Sequence, residues 1–328
     1  MKALIIADRK RYEKFMPDTP FVRELEKVFL PLGTPDAELL QAGGDADFLA
    51  ADAIAKVSAE LIDGMPNLKV IHSEGVAYNG IDCAAAAARG IPVCNNAGIN
   101  AQAVAEHAVM LMLMLQRSAI AGNEAVLAGK QIGMKTSMMG QIPELGDCTV
   151  GLIGFGNIAR ETAKRLNAFG CKVAYYASHR RDAETEAKLG VTYMTPDEMK
   201  KECDIISIHV PVTPETTGMV DREFLRGMKK AALLINTARG EIVDNEALKE
   251  ALTEGWIAGA GLDTVSPEPV PADHVLLHLP EEAARRIVFS PHIAGVTRST
   301  FRRGHANIWT AFETVAAGGR PANVVNGI

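Results

Sequence analysis

The run Thr149-Val150-Gly151-Leu152-Ile153-Gly154-Phe155-Gly156-Asn157-Ile158-Ala159-Arg160-Glu161-Thr162-Ala163-Lys164-Arg165-Leu166 decides the fold. Its first five residues have strand character and lead without a linker into Gly-x-Gly-x-x-Ala, after which a helical pattern begins. Gly154 suits a tight turn, Gly156 lets the backbone approach a pyrophosphate, and the small Ala159 lets a helix pack closely on the strand. The backbone N–H groups of Asn157 and Ile158, at the start of that helix, are placed to receive phosphate oxygens. The stretch predicts a dinucleotide-binding βα unit.

Working outward, short aliphatic runs recur at Thr149–Ile153, Lys172–Tyr176, Ile205–Val210, Ala232–Asn236, Ile257–Leu262 and Ile287–Ser290. Six strands alternating with helical stretches over about 140 residues make a full Rossmann domain. The first hundred residues repeat the rhythm on a smaller scale, with strands at Ala3–Ala7, Ala46–Ala50, Lys69–His72 and Pro92–Cys94. Helices are expected between them at Phe21–Leu30, Ser58–Ile62 and Ile81–Arg89, the last closed by Gly90. Ala101 to Leu127 reads as one long connecting helix, Gly129 to Leu145 as an irregular Met-rich excursion, and Ser299–Ala317 as a final helix. Such alternation implies right-handed crossovers and parallel sheets.

The 328 residues carry 34 Lys plus Arg against 40 Asp plus Glu, a net charge of −6, and 48% are hydrophobic. That length suits two domains, and that charge gives no reason to expect nucleic acid or an anionic membrane as partner. Five cysteines, odd in number and without a CxxC pair, argue against a disulfide framework or a metal site and for a reducing, cytoplasmic setting. The longest apolar run, Ala108 to Leu115, is too short for a membrane span, and the N-terminal MKALIIADRKRYEK reads as a strand rather than a signal peptide.

At the end of the second Rossmann strand, where an NAD site usually has an acid for the ribose 2′-OH, the sequence has Ala177. It continues Ser178-His179-Arg180-Arg181, with no carboxylate until Asp182. A hydroxyl and two guanidinium groups there suit a 2′-phosphate, which argues for NADPH over NADH, with NADH as the alternative.

Three later segments complete a pattern: Asn236-Thr237-Ala238-Arg239-Gly240-Glu241; Gly261-Leu262-Asp263 followed by Ser266-Pro267-Glu268-Pro269; and Ser290-Pro291-His292-Ile293-Ala294-Gly295. With the glycine turn and His209-Val210-Pro211-Val212-Thr213-Pro214-Glu215-Thr216, they closely resemble the D-isomer-specific 2-hydroxyacid dehydrogenases, nearest the glyoxylate/hydroxypyruvate reductase branch. The chemistry is coherent without the likeness. Reducing a 2-oxo acid needs a cation to hold and polarise the substrate, a hydride donor, and an acid for the developing alkoxide. Arg239, a nicotinamide cofactor and His292 supply one of each. Taken singly, Arg239 reads more readily as a surface ion pair, Glu268 as a loop charge between prolines and His292 as a capped loop residue; their joint order reverses that.

The resemblance implies a catalytic set of Arg239, Glu268 and His292, with Glu268 orienting the imidazole. It implies that backbone N–H groups of Val76 and Ala77, in Ser73-Glu74-Gly75-Val76-Ala77-Tyr78-Asn79-Gly80, bind the substrate carboxylate. It places Asn100 toward the substrate between two domains, although Asn100 reads equally well as a helix N-cap. Thr237 and Ala238 would pack near the nicotinamide ribose, Asp263 would accept from the carboxamide, Val210, Pro211 and Thr216 would line the adenine side, and Gly295 would border the cofactor. His72, His107, His179, His209, His274, His278 and His305 are expected to lack a carboxylate setting, with His107 simply helix structure and His209 at most cofactor lining.

The fold implied is α/β, a Rossmann dinucleotide-binding domain (99–296) inserted into a flavodoxin-like substrate domain (1–98 plus 297–328). Function follows as reduction of a small 2-oxo acid to a D-2-hydroxy acid, in a homodimer built through the helix after Ala101 and its excursion, with no metal. The competing readings are a D-lactate or other 2-hydroxyacid dehydrogenase of the same family and a non-catalytic dinucleotide sensor.

Overall fold

The computed structural model describes residues 1–328 as two compact units. One comprises Met1–Asn100 with Val296–Ile328, the other Ala101–Gly295. In chain order the first unit holds β1 (Lys2–Ile6), α1 (Arg9–Phe15), α2 (Pro20–Glu24), β2 (Glu26–Leu30), α3 (Asp36–Gly43), β3 (Phe48–Ala51), α4 (Ala59–Asp63), β4 (Val70–Ser73), α5 (Cys83–Ala88) and β5 (Val93–Cys94). All pairings are parallel, in the order β2-β1-β3-β4-β5, the flavodoxin-like arrangement. β1 and β3 are almost wholly buried apolar runs, and β4 is buried throughout, as a sheet covered on both faces requires.

The second unit opens with α6 (Ala101–Gln116), α7 (Ala119–Leu127) and α8 (Gln131–Met138). Then follow β6 (Thr149–Ile153), α9 (Asn157–Phe169), β7 (Lys172–Tyr176), α10 (Ala183–Leu189), β8 (Thr192–Tyr193), α11 (Pro196–Glu202), β9 (Ile205–Ile208), α12 (Arg222–Gly227), β10 (Leu233–Asn236), α13 (Asn245–Glu254), β11 (Gly259–Leu262), α14 (Glu281–Ala284) and β12 (Ile287–Phe289). The chain ends with α15 (Arg298–Ala316), back in the first unit. The seven-stranded parallel sheet runs β12-β11-β10-β9-β6-β7-β8, which is the Rossmann order with one added strand. The strand order reverses between β6 and β9, so the crevice for a dinucleotide lies at the C-terminal ends of those two strands.

Three expectations change. Phe21–Leu30 is not one helix: Thr19 caps the short α2, and Glu26–Leu30 is an edge strand paired with β1. Pairing in the sheet overrides the helical spacing of Phe21, Val22, Leu25, Val28 and Phe29. The helix from Ala101 is broken at Ser118, whose φ is +46°, and its two halves bend by 54°. The Met-rich excursion contains the regular helix α8, and neither α7 nor α8 buries a single residue. No single helix is long and apolar enough to cross a membrane.

Candidate active site

The glycine turn does what its residue types demand. Gly154 sits at φ +95°, and a Cβ there would lie 2.5 Å from the His209 carbonyl oxygen, so β6 and β9 end in contact only because Gly154 has no side chain. Gly156 is the N-cap of α9 without any side-chain cap, and the place of its missing Cβ is open. Ala159 is fully buried. An uncapped 13-residue helix behind an open glycine fits a pyrophosphate. The hydroxyls of Thr237 and Thr264, buried and without a protein partner, fit a polar ligand at the same sheet edge. No group of three or more His, Cys, Asp or Glu could hold a metal ion.

Register places the remaining groups. Ile153 pairs with Ile208, Ile208 with Asn236, Asn236 with Leu262 and Leu262 with Phe289, so the segments that follow all leave one edge of the sheet. After β10, the buried Asn236 side chain accepts from Ala238 N at 3.0 Å and donates to the Arg239 carbonyl at 2.8 Å, which shapes the turn carrying Arg239. The exposed Arg239 guanidinium donates to the Ala238 carbonyl at 2.7 Å. A side chain on Gly240 would overlap the backbone of Val265 and Ser266, so this glycine seats the Arg239 turn against the segment leading to Glu268. Asn245 Nδ2 donates to the Ser266 carbonyl at 2.7 Å and anchors that segment from α13.

His292 follows β12 in the left-handed region, with φ +53°. Its Nδ1 lies 2.9 Å from both Glu268 carboxylate oxygens. A carboxylate only accepts, so Nδ1 carries the proton of that bond and Nε2 is left for a substrate. Both side chains are about half-exposed, which leaves the imidazole accessible. Behind it Asp263 is 2% exposed and its carboxylate is heavily used: Oδ1 accepts from Ser290 Oγ at 2.5 Å and Ile293 N at 3.0 Å, Oδ2 from Ala294 N at 2.9 Å.

In the loop after Val210, the Thr216 hydroxyl accepts from Thr213 N and donates to the Pro211 carbonyl, both at 2.7 Å. Burial pushes His209 down to about 4, and its Nε2 meets Ser207 Oγ at 2.9 Å. Ser178 and His179 are exposed and bonded to each other. Arg180 is held bidentately by Glu186, at 2.9 and 3.0 Å, and the Arg181 backbone N donates to Tyr175 OH at 2.7 Å. A carboxylate therefore does stand beside this loop: Glu186, one helical turn into α10 and nine residues beyond Ala177, where a ribose acid would stand. The Arg180 guanidinium, with the Tyr175 hydroxyl, lowers the Glu186 carboxyl below its usual range.

In the first unit, the loop after β4 has its carbonyls occupied. Gly75 O accepts from Asn96 N at 2.9 Å, Val76 O from Asn95 Nδ2 at 2.7 Å, and Ala77 O from Ser73 Oγ at 2.6 Å. These bonds fix the loop backbone around Val76 and Ala77. Asn95, Asn96 and Ser73 thus shape this loop, a part that motif reading did not give them. Glu74, just ahead of this loop, is buried between Arg11 Nη2 at 2.6 Å and His305 Nε2 at 3.0 Å. Asn100 closes the turn immediately before α6. The expectation that no other histidine has a carboxylate setting fails twice. His305 meets Glu74, and His107 Nε2 lies 3.4 Å from Asp263 Oδ1. Both partners are distant in sequence and meet only through folding.

Comparison with known proteins is consistent with this geometry. Residues 109–294 match the family model described as D-isomer specific 2-hydroxyacid dehydrogenase, NAD binding domain. The chain is 42% identical over 261 residues to a glyoxylate reductase of Thermofilum pendens, covering 79% of this chain and 75% of the relative. It is 38% identical over 266 residues to a hydroxypyruvate reductase of Thermotoga maritima, covering 81% and 83%. Among solved structures, D-lactate dehydrogenase with NAD+ from Lactobacillus jensenii superposes with a TM-score of 0.83 at 27% identity, covering 99% of each chain. The chain belongs to the D-isomer specific 2-hydroxyacid dehydrogenase family.

Proposed function

We propose that this protein is a reductase of small 2-oxo acids, of the glyoxylate and hydroxypyruvate kind, that forms D-2-hydroxy acids with NADPH in preference to NADH. The observation that carries the reading is the His292–Glu268 pair at 2.9 Å, on the sheet edge that also bears Arg239 and the open glycine turn. Gly154, Gly156, Asn157, Ile158 and Ala159 would hold the pyrophosphate, with Val210, Pro211 and Thr216 on the adenine side and Thr237, Ala238 and Gly295 toward the nicotinamide. When bound, the reduced cofactor supplies the hydride.

The chain supplies the rest. Arg239 pairs with the substrate carboxylate and draws electron density from the 2-oxo group. His292 Nε2 gives its proton to the carbonyl oxygen as the alkoxide develops, and Glu268 stabilises the ring through Nδ1. In the reverse direction the neutral imidazole takes the hydroxyl proton. Within the first unit, the Val76 and Ala77 N–H groups would suit a carboxylate, and Asn100 would be a further polar group for it.

Support for NADPH is narrower than the sequence alone suggests, because Glu186 already engages Arg180. Ser178, His179 and Arg181 remain, with Ala177 in place of an acid. Support for a homodimer comes from α7 and α8, where Ile120, Val126, Leu127 and Ile132 are 45%, 57%, 81% and 72% exposed. Such a run of apolar side chains is what a symmetric interface covers. Five free thiols suit a cytoplasmic, reducing setting.

The test is steady-state turnover on glyoxylate, hydroxypyruvate, pyruvate and a branched 2-oxo acid, each with NADPH and NADH. Turnover of the first two with NADPH is expected. No turnover on any acid, with tight cofactor binding, would overturn the reading in favour of a sensor.

A further inference from the structure

Beyond the groups that touch substrate, one partly buried chain of hydrogen bonds ends at the loop bearing His292. It begins on α6, about 185 residues earlier in sequence, at His107. The His107 ring nitrogen Nε2 lies 2.7 Å from Ser290 Oγ, and Ser290 Oγ lies 2.5 Å from Asp263 Oδ1. Donor counting orders this chain. The Ser290 hydroxyl has one proton, and the Asp263 carboxylate accepts it, so Ser290 Oγ must accept from His107. Nε2 therefore carries the proton, and the imidazole is the Nε2–H tautomer or fully protonated. Burial lowers the pKa of His107, against the opposing pull of Asp263, which favours the neutral form.

Asp263 is the junction. Its backbone carbonyl accepts from His292 N at 2.9 Å, while its two carboxylate oxygens take the N–H groups of Ile293 and Ala294. Three consecutive backbone N–H groups are thus tied to one residue, and His292 among them has φ +53°. A non-glycine residue pays for that conformation and keeps it only where its surroundings over-determine it. With both oxygens used in this way, Asp263 acts on the loop backbone first, whatever it contributes to a cofactor.

We infer that His107 and Ser290 are positioning residues for the His292 loop, acting through Asp263 to hold the imidazole in the orientation that presents Nε2. The inference rests on His292 being the proton-transferring group. His107 and Ser290 set the reactive geometry without touching substrate or cofactor. Their loss should lower kcat far more than it raises KM, and should not change cofactor affinity.

The experiment compares Ser290→Ala, Ser290→Thr, His107→Leu and His107→Gln with the unaltered protein and with His292→Ala. NADPH and hydroxypyruvate are the probes, thermal unfolding reports folding, and fluorescence titration reports NADPH affinity. Ser290→Ala and His107→Leu should lose kcat by about 10- to 100-fold, the scale of a misplaced reacting group. KM and NADPH affinity should hold. Ser290→Thr, which keeps the hydroxyl, and His107→Gln, which keeps a donor at the Nε2 position, should recover most of the rate. In the His292→Ala background Ser290→Ala should add no further loss, whereas a general structural defect would still add its own. Folded Ser290→Ala and His107→Leu proteins with unchanged kcat, beside an inactive His292→Ala, would overturn the positioning role and leave the proposed function standing. A fully active His292→Ala would overturn the proposed function itself.

Discussion

Glu268 and His292 meet at 2.9 Å at a solvent-reachable edge, with both side chains about half-exposed. An exposed ion pair contributes little to stability. Replacing Glu268 by Gln should therefore leave thermal unfolding nearly unchanged while lowering kcat roughly 10- to 100-fold, the scale of losing an orienting partner behind a functional imidazole. Stopped-flow measurement on the folded variant checks this. That Arg239, Glu268 and His292 follow strand ends of one sheet could be read from the ordered motifs, and the structure adds the contact between Glu268 and His292. His107, Ser290, Asn95 and Asn96 were not legible in the sequence. Their importance lies in contacts such as His107 to Ser290, formed between segments far apart in sequence, and no local spacing records such a pair. Gly240 shows the same limit: it reads as an ordinary turn residue until the Val265–Ser266 backbone is seen against it.

At the level of elements, the central strands were legible because they are continuous apolar runs. β6 and β7 fall on their expected residues, whereas the edge strands β2, only half-buried, and β8, two residues long, did not stand out. β4 carries a further consequence. His72 lies wholly buried in it, its Nδ1 on the Ser73 carbonyl at 2.7 Å, and burial lowers it from 6.5 to about 4. Its folded value lies below its unfolded one, so the unfolded chain takes up a proton first as pH falls. Stability is full above pH 6.5 and declines toward pH 4, by about 3 kcal/mol from this residue. Thermal unfolding between pH 7 and pH 4 should fall less steeply in His72→Phe, and an unchanged slope would contradict the assignment. The loop between β7 and α10 supports a second expectation. Glu186→Gln releases Arg180 from its carboxylate partner and should raise the ratio of kcat/KM for NADPH over NADH by roughly tenfold, given about 1.5 kcal/mol for one charge-assisted contact. An unchanged ratio would remove this loop from phosphate recognition.

Across the whole molecule, the chain leaves its first unit after Asn100 and returns at Val296, so the first unit cannot complete its core until the last residues are made. α15 supplies Ile308, Trp309 and Phe312, and Phe312 stacks on Phe48 of β3 at 4.9 Å. The C-terminal tail adds backbone contacts to β5, from Val325 N to the Val93 carbonyl. Phe312→Ala should cost about 3–5 kcal/mol, read as a lowered unfolding midpoint. NADPH affinity should stay intact, because the cores of the second unit include none of these residues. The net charge of −6 likewise conceals local organisation, with Arg239 exposed at a sheet edge and Arg180 beside Glu186.

In the proposed reaction His292 moves the proton while the rest of the edge binds. Single-turnover oxidation of NADPH by hydroxypyruvate in His292→Ala, with NADPH affinity measured on the same sample, tests it most directly. The account predicts a rate lower by about 10²–10⁴-fold, with the NADPH dissociation constant unchanged. A variant that turns over at the wild-type rate would contradict it.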